Sequence, residues 1–301
     1  MLFNIPHISA DVLKEKFIDD AGIKISVLRL DKIHPVISGN KLFKLHYYIE
    51  EAISTGKKSL VTFGGAYSNH LVAAAYACKM KGIKSIGIVR GERPLQLSHT
   101  LLECMHLQMK LHFISREAYK DKDKPLSISQ LKENFKHSII VPEGGYGIAG
   151  AKGAALIMHA VPADATHICC AVGTGTTVAG LLMGARGNQQ IIAFPVLKGM
   201  NDLSASMQFL TENKLPLSQL YTAPDYHFGG YAKSNAALFH FMNTMFALHQ
   251  LPLDFVYTGK MMYGVFDLIK KGFFPKGSNI VCVHTGGLQG NRSLQKTVLT
   301  F

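Results

Sequence analysis

The sequence predicts an α/β fold of open, twisted parallel sheets with helices on both faces. Three observations carry this expectation. Short β-rich runs recur along nearly the whole chain, and helix-like stretches separate most of them, the pattern of βαβ units. No repeat, low-complexity tract or long linker interrupts the alternation. Of the 301 residues 48% are hydrophobic and 17% charged, the balance of a globular core rather than of a disordered chain.

The elements follow in order. A strand is read at 24–30 (KISVLRL), then a helix over 41–54 that begins just after Ser38-Gly39-Asn40. Strand 59–63 (SLVTF) stops at Gly64-Gly65. Ser68-Asn69 then opens a helix over 68–82, because Ser and Asn are preferred N-caps. Strand 85–89 (SIGIV), helix 97–107, strand 111–114 (LHFI) and helix 127–135 come next. Arg116 to Lys124 (REAYKDKDK) alternates bases with acids, so 116–126 is expected to be a flexible, solvated loop. Strand 138–141 (SIIV) leads to helix 149–160. Strand 166–171 (THICCA) runs into a glycine-rich turn and helix 177–185, and strand 191–196 (IIAFPV) follows. Two helices, 234–248 and 260–271, precede the last strand, 279–284 (NIVCVH). At roughly 100–200 residues per domain, the length fits two domains or one large one.

Charge and composition remove several function classes. The net charge is +12, with 32 basic residues against 20 acids. Only six of the basic residues are arginines, and they are scattered. Reading of bases and bidentate grip on phosphates lean on Arg, so no nucleic-acid partner is expected. The longest uncharged stretch, Ile168 to Ala185, is about long enough to span a bilayer. It carries Gly173, Gly175, Gly180, Gly184 and three threonines, which suits a strand, a turn and a helix, so no membrane partner is expected. The first residues lack a basic start followed by an apolar run, so a signal peptide is not expected and the cytoplasm is. Five cysteines without paired spacing argue against a disulfide framework, and no CxxC or HExxH suggests a metal.

Four segments place Gly, Ser/Thr or Asn at element boundaries, where α/β sheets bind ligands. Ala171 to Gly180 (AVGTGTTVAG) follows a strand and opens a helix. Its backbone N–H groups and the hydroxyls of Thr174, Thr176 and Thr177 suit one phosphate monoester. Val178 stands where a dinucleotide fingerprint needs its third glycine. A ligand-free glycine-rich connection is the alternative. In SGNKLFKL (38–45), Lys41 sits at a loop-to-helix junction: either an exposed lysine, or a partly buried one with a lowered pKa and nucleophilic character. In FGGAYSNH (63–70), Ser68, Asn69 and His70 follow a double glycine and serve either as caps or as a carboxylate site. VYTGKMMYG (256–264) and VHTGG (283–287) are each weak alone.

Taken in this order, the GNK-x-x-KL, GG-x-x-SNH, VYTGK-M-x-G and HTGG blocks resemble the pyridoxal-phosphate enzymes with the tryptophan synthase β-subunit fold (fold-type II). Within that fold they are similar to the 1-aminocyclopropane-1-carboxylate deaminase and D-cysteine desulfhydrase family. The blocks span residues 39 to 287. The resemblance implies a pyridoxal 5'-phosphate cofactor held covalently by Lys41, its ring hydroxyl bonded by Asn69 and its phosphate held by Gly173, Thr174, Gly175, Thr176 and Thr177. It implies that Ser68 meets the substrate carboxylate. Tyr257, and Tyr231 in GGYAKSN, correspond to active-site tyrosines. Thr258 falls where the pyridine nitrogen finds its partner. Also implied are a large domain (1–49 and 150–301), a small domain inserted in it (50–149), and a homodimer.

The resemblance says deaminases carry Glu where this chain has Thr258. A threonine does not hold a proton on the ring nitrogen as a carboxylate does, which favours loss of a good leaving group over opening of a cyclopropane ring. The expectation is therefore a lyase acting on a small amino acid, D-cysteine desulfhydrase-like, with the cyclopropane deaminase as the alternative and a non-catalytic basic nucleic-acid-binding α/β protein as the distant one. Phe43, Tyr67 and Tyr146 depart from the family pattern, where Arg, Gln and Ser are usual.

Overall fold

The computed structural model describes residues 7–34, 37, 39–215 and 217–301. Its strands and α-helices in chain order are β1 (Ala10–Leu13), α1 (Lys16–Asp20), β2 (Lys24–Leu28), α2 (Lys41–Ser54), β3 (Ser59–Gly64), α3 (Asn69–Met80), β4 (Lys84–Arg90), α4 (His99–His106), β5 (Lys110–Ile114), α5 (Arg116–Lys120), α6 (Pro125–Asn134), β6 (Ser138–Val141), α7 (Ile148–Ala155), β7 (His167–Val172), α8 (Thr176–Gly184), β8 (Gln190–Pro195), α9 (Ser204–Leu210), β9 (Leu220–Thr222), α10 (Ala236–His249), α11 (Thr258–Lys270) and β10 (Asn279–Val283). They make two sheets, one of six strands in the order β1-β2-β10-β7-β8-β9 and one of four in the order β5-β4-β3-β6. All eight expected strands pair in parallel. β1 runs antiparallel to β2.

The central strands are apolar throughout because both of their faces are covered. Along β7, Ile168, Cys170 and Val172 enter one hydrophobic cluster, while Cys169 and Ala171 enter another on the opposite face. That is the two-residue period of a strand. The first cluster continues through Phe43, Leu71, Ala151 and Val178 of α2, α3, α7 and α8. It reaches Leu60, Val89 and Val141 of the four-stranded sheet, so a single core joins the two sheets. Gly153 lets α7 seat directly on α2, since a Cβ there would lie 2.0 Å from the Phe43 carbonyl oxygen. This contact fixes the start of α2, which carries Lys41.

The structure corrects the expected loop at 116–126. Residues 116–120 form α5, capped by Ser115 Oγ accepting from the Ala118 amide at 3.1 Å, and α6 begins at Pro125. Tyr119 anchors α5 by inserting its ring beside Phe63, at 6.3 Å between centroids. Charges on an amphipathic turn hid that one buried aromatic. Two edge strands, β1 and β9, and helices α1 and α9 were also not anticipated. Each is short, so the packing of its neighbours, not its own pattern, defines it. Among the described residues no helix is long and apolar enough to cross a membrane, and no His/Cys/Asp/Glu cluster is placed to hold a metal ion.

Candidate active site

The C-terminal ends of β3, β7 and β10 converge on one cavity, as expected where parallel strands present their loops. Its walls include Lys41 and Lys44 of α2, Asn69 of α3, the loop Gly173 to Gly175, Thr177 of α8, Tyr257, and Thr285 to Gly287 after β10. Ser38, which opens the sequence motif before Lys41, lies outside the described residues.

Lys41 is the first residue of α2. Its ammonium donates to Asn40 Oδ1 at 2.8 Å, and Asn40 Nδ2 donates to Thr177 Oγ1 at 2.7 Å. One buried amide thus ties the lysine to the glycine-rich loop. Burial lowers the Lys41 pKa to about 8, against opposing attraction from Asp254. A useful fraction of neutral, nucleophilic amine is therefore present near neutral pH.

The loop after β7 is shaped to hold an anion. Gly175 stands at φ +81°, a left-handed conformation that costs glycine little. The first amides of α8 have no partner within the helix, and its dipole adds positive potential there. Thr174 Oγ1 lies 2.9 Å from Thr176 Oγ1 and 3.4 Å from Lys44 Nζ. Burial, reinforced by Lys41, pushes the Lys44 pKa well below its usual value, so an arriving dianion would draw a proton onto this amine.

Ser68 caps α3, accepting from the Leu71 amide at 3.3 Å, which leaves its hydroxyl proton free to donate. Asn69 Oδ1 is buried and has no hydrogen-bond partner among the described residues. Such an orphan costs about 1–3 kcal/mol unless a ligand supplies the donor. A ring hydroxyl would.

His70 follows Asn69 in the first turn of α3. Its ring is buried, with Nε2 2.8 Å from Thr62 Oγ1, which itself donates to the Val141 carbonyl. Nδ1 is buried with no hydrogen-bond partner among the described residues. Burial and the two nearby lysines hold the ring neutral, well below the usual histidine pKa.

Tyr257 lines the cavity, and the Tyr231 ring meets it nearly edge-on at 6.2 Å. Burial, then the Tyr231 hydroxyl, raises the Tyr257 pKa well above that of a free tyrosine, so it stays a proton donor. Thr258 is fully buried. Its hydroxyl donates to Asp254 Oδ1 at 2.7 Å and accepts from the Asp254 amide at 2.8 Å. Asp254 also accepts from the amides of Val256, Tyr257 and Thr258 and so caps α11.

Sequence reasoning missed Asn40, Lys44 and Asp254 as members of this site. An Asp a few residues ahead of a helix start is a capping signal that could have drawn attention to the last.

The residues fit pyridoxal phosphate: an amine of lowered pKa, an anion loop at a helix start, and an orphaned amide oxygen face one another. A family model described as "Pyridoxal-phosphate dependent enzyme" matches residues 12–286. The chain belongs to this family.

Other members supply the context for this pyridoxal-phosphate enzyme. A Pyrococcus abyssi protein named as a candidate 1-aminocyclopropane-1-carboxylate deaminase is 29% identical over 90% of this chain and 86% of its own length. An Arabidopsis thaliana protein named a bifunctional D-cysteine desulfhydrase and 1-aminocyclopropane-1-carboxylate deaminase, mitochondrial, is 27% identical over 89% of this chain and 73% of its own. A crystal structure described as an ACC deaminase homologue superposes with a TM-score of 0.81 at 25% identity, covering 95% of this chain and 91% of the other.

Proposed function

We propose that this enzyme is a lyase that eliminates the β-substituent of a small D-amino acid, with D-cysteine and water giving pyruvate, ammonia and sulfide. The observation that carries the choice is Thr258. A neutral hydroxyl there, its proton already donated to Asp254, is a weaker partner for a pyridine nitrogen than a carboxylate. That suits departure of a thiolate. The second reading, deamination of the cyclopropane amino acid, is favoured by the name of the Pyrococcus relative.

In this reading Lys41 attaches the cofactor, and Lys44 with the loop Gly173–Thr177 holds its phosphate. Asn69 receives its ring hydroxyl, and Thr258, its proton given to Asp254, leaves the ring nitrogen unprotonated. Bound there, pyridoxal phosphate supplies an electron sink for charge developing at the substrate Cα. Lys41, once displaced by the substrate amine, takes the Cα proton, a role worth roughly 10²–10⁴ in rate. Ser68 donates its free hydroxyl to the substrate carboxylate. Tyr257, kept protonated, donates on the side of the leaving group, and Tyr231 screens that side from solvent. We further propose a cytoplasmic homodimer in which residues 50–149, with the four-stranded sheet, form the small domain. Sedimentation of the purified chain tests the dimer.

The experiment is an absorbance scan followed by substrate addition. The protein should show a visible band that is lost on borohydride reduction and absent in Lys41→Ala. D-cysteine should release sulfide and pyruvate, and L-cysteine little. Release of 2-oxobutanoate from 1-aminocyclopropane-1-carboxylate, without sulfide from D-cysteine, would select the second reading.

A further inference from the structure

Lys260 lies in the first turn of α11, one turn beyond Tyr257, and is 1% exposed. Its ammonium is held by main-chain carbonyls: Nζ donates to His227 O at 2.8 Å and to Gly230 O at 2.7 Å. Both carbonyls also accept from amides of their own loop, from Gly230 at 3.0 Å and from Lys233 at 3.1 Å. The lysine therefore staples two successive turns through the second lone pair of each oxygen. Burial lowers its pKa to about 8 while Asp254 opposes the shift. A neutral amine would still donate, so the staple does not depend on its charge alone.

The stapled segment is one that its own residues disfavour. Phe228 and Ala232 stand at φ +52° and +53°, flanking two glycines at +91° and +120°. Non-glycine residues in that region persist only where the surroundings over-determine them. What the segment presents is Tyr231, 53% exposed, with its ring against Tyr257. Its ring and hydroxyl both meet Tyr257, so the position of the segment decides whether those contacts form.

We propose that Lys260 is a positioning residue: by fastening the 227–233 segment to the helix that carries Tyr257, it sets where Tyr231 stands beside the cavity and so tunes affinity for the amino-acid substrate. The inference rests on the function proposed above for its kinetic probe only.

The test uses holoenzyme with D-cysteine as the probe. Lys260→Met should raise KM roughly ten-fold with kcat within about three-fold, the mark of lost binding rather than lost chemistry. The cofactor band should be unchanged, and hydrogen exchange at the Gly230 and Lys233 amides should accelerate. Tyr231→Ala should raise KM comparably, and the double variant should be no worse than Tyr231→Ala alone, because both act through one contact. Lys260→Arg, which keeps charged donors, should recover part of the lost affinity. Additive effects on KM, or unchanged exchange in the segment, would overturn the proposal. Lys260→Gln replaces the methionine variant, with the same readouts, if the latter does not fold. Should D-cysteine prove inert, the function proposed above fails, while accelerated or unchanged exchange still decides for or against the staple.

Discussion

Of two glycine-containing loops, one lines the cavity and the other packs Tyr231 against the cavity tyrosine Tyr257, and they are held in different ways. The loop Gly173–Gly175 draws its shape from itself: a glycine at φ +81°, a helix start behind it, and threonines that bond one another. The segment 227–233 has four residues in the left-handed region, two of them not glycine, and is fastened from outside by Lys260. The first rests chiefly on glycine, threonine and helix-start chemistry, while the second adds Lys260, a distant side chain, to its own turns and to the Gly229 amide donated to His227 Nδ1. A loop that must offer backbone amides to an anion needs rigidity at every atom. A loop that offers one tyrosine needs only its position.

The sharpest way to break this contrast is Gly175→Ala. The new methyl would require φ +81°, at about 1–2 kcal/mol, and would stand 2.9 Å from the Met207 methyl carbon. The Met207 methyl ends a flexible side chain and can turn away, so the backbone strain governs, and affinity for pyridoxal phosphate should fall roughly five- to thirty-fold, read by titrating stripped enzyme. Unchanged affinity would mean that the backbone does not carry the anion. Lys44→Met tests the side-chain share of the same grip. Loss of one charge-assisted contact at about 1.5–3 kcal/mol should cost roughly ten-fold or more in cofactor affinity, with the effect growing for the dianion as pH rises through 6.

The contrast also explains what the sequence could reveal. All eight strands read from the chain are present within two residues of their expected ends, because each is a short apolar run and the central ones are buried on both faces. The phosphate-type loop and Lys41 were legible because glycines, threonines and the lysine announce their chemistry in adjacent positions. Asn40, Asp254 and Lys260 were not. Asp254 and Lys260 bond mostly to main-chain atoms, and Asn40 to a threonine 137 positions away, and such partners leave no mark on the neighbouring sequence. In SNH, His70 follows the cavity residue Asn69, and helical geometry turns its Nε2 toward Thr62.

The Lys41 environment gives a pH test of intermediate size. Attack on the cofactor aldehyde needs the neutral amine, whose fraction grows as pH rises through the pKa. With that value lowered to about 8 by burial, recapture of pyridoxal phosphate by stripped enzyme should speed about ten-fold per unit below pH 8 and level off above it. An ordinary lysine would keep accelerating to beyond pH 10. A rate still climbing there would place Lys41 in solvent rather than in the pocket.

The smallest expected effect is the one that separates the two loops most finely. Ala232 stands at φ +53°, so Ala232→Gly removes a steric cost of about 1–2 kcal/mol and adds a smaller conformational-entropy cost of about 0.5–1 kcal/mol. With Lys260 in place the segment is already almost fully in its bound form, and a change of under about 1 kcal/mol cannot alter KM measurably. Without the staple the competent form is only partly populated, and the same change shifts the population several-fold. Ala232→Gly should therefore be silent alone and should partly restore KM in Lys260→Met. A loop held by its own residues, as 173–175 is, would show the reverse: a local backbone change felt at full size whether or not any distant lysine is present.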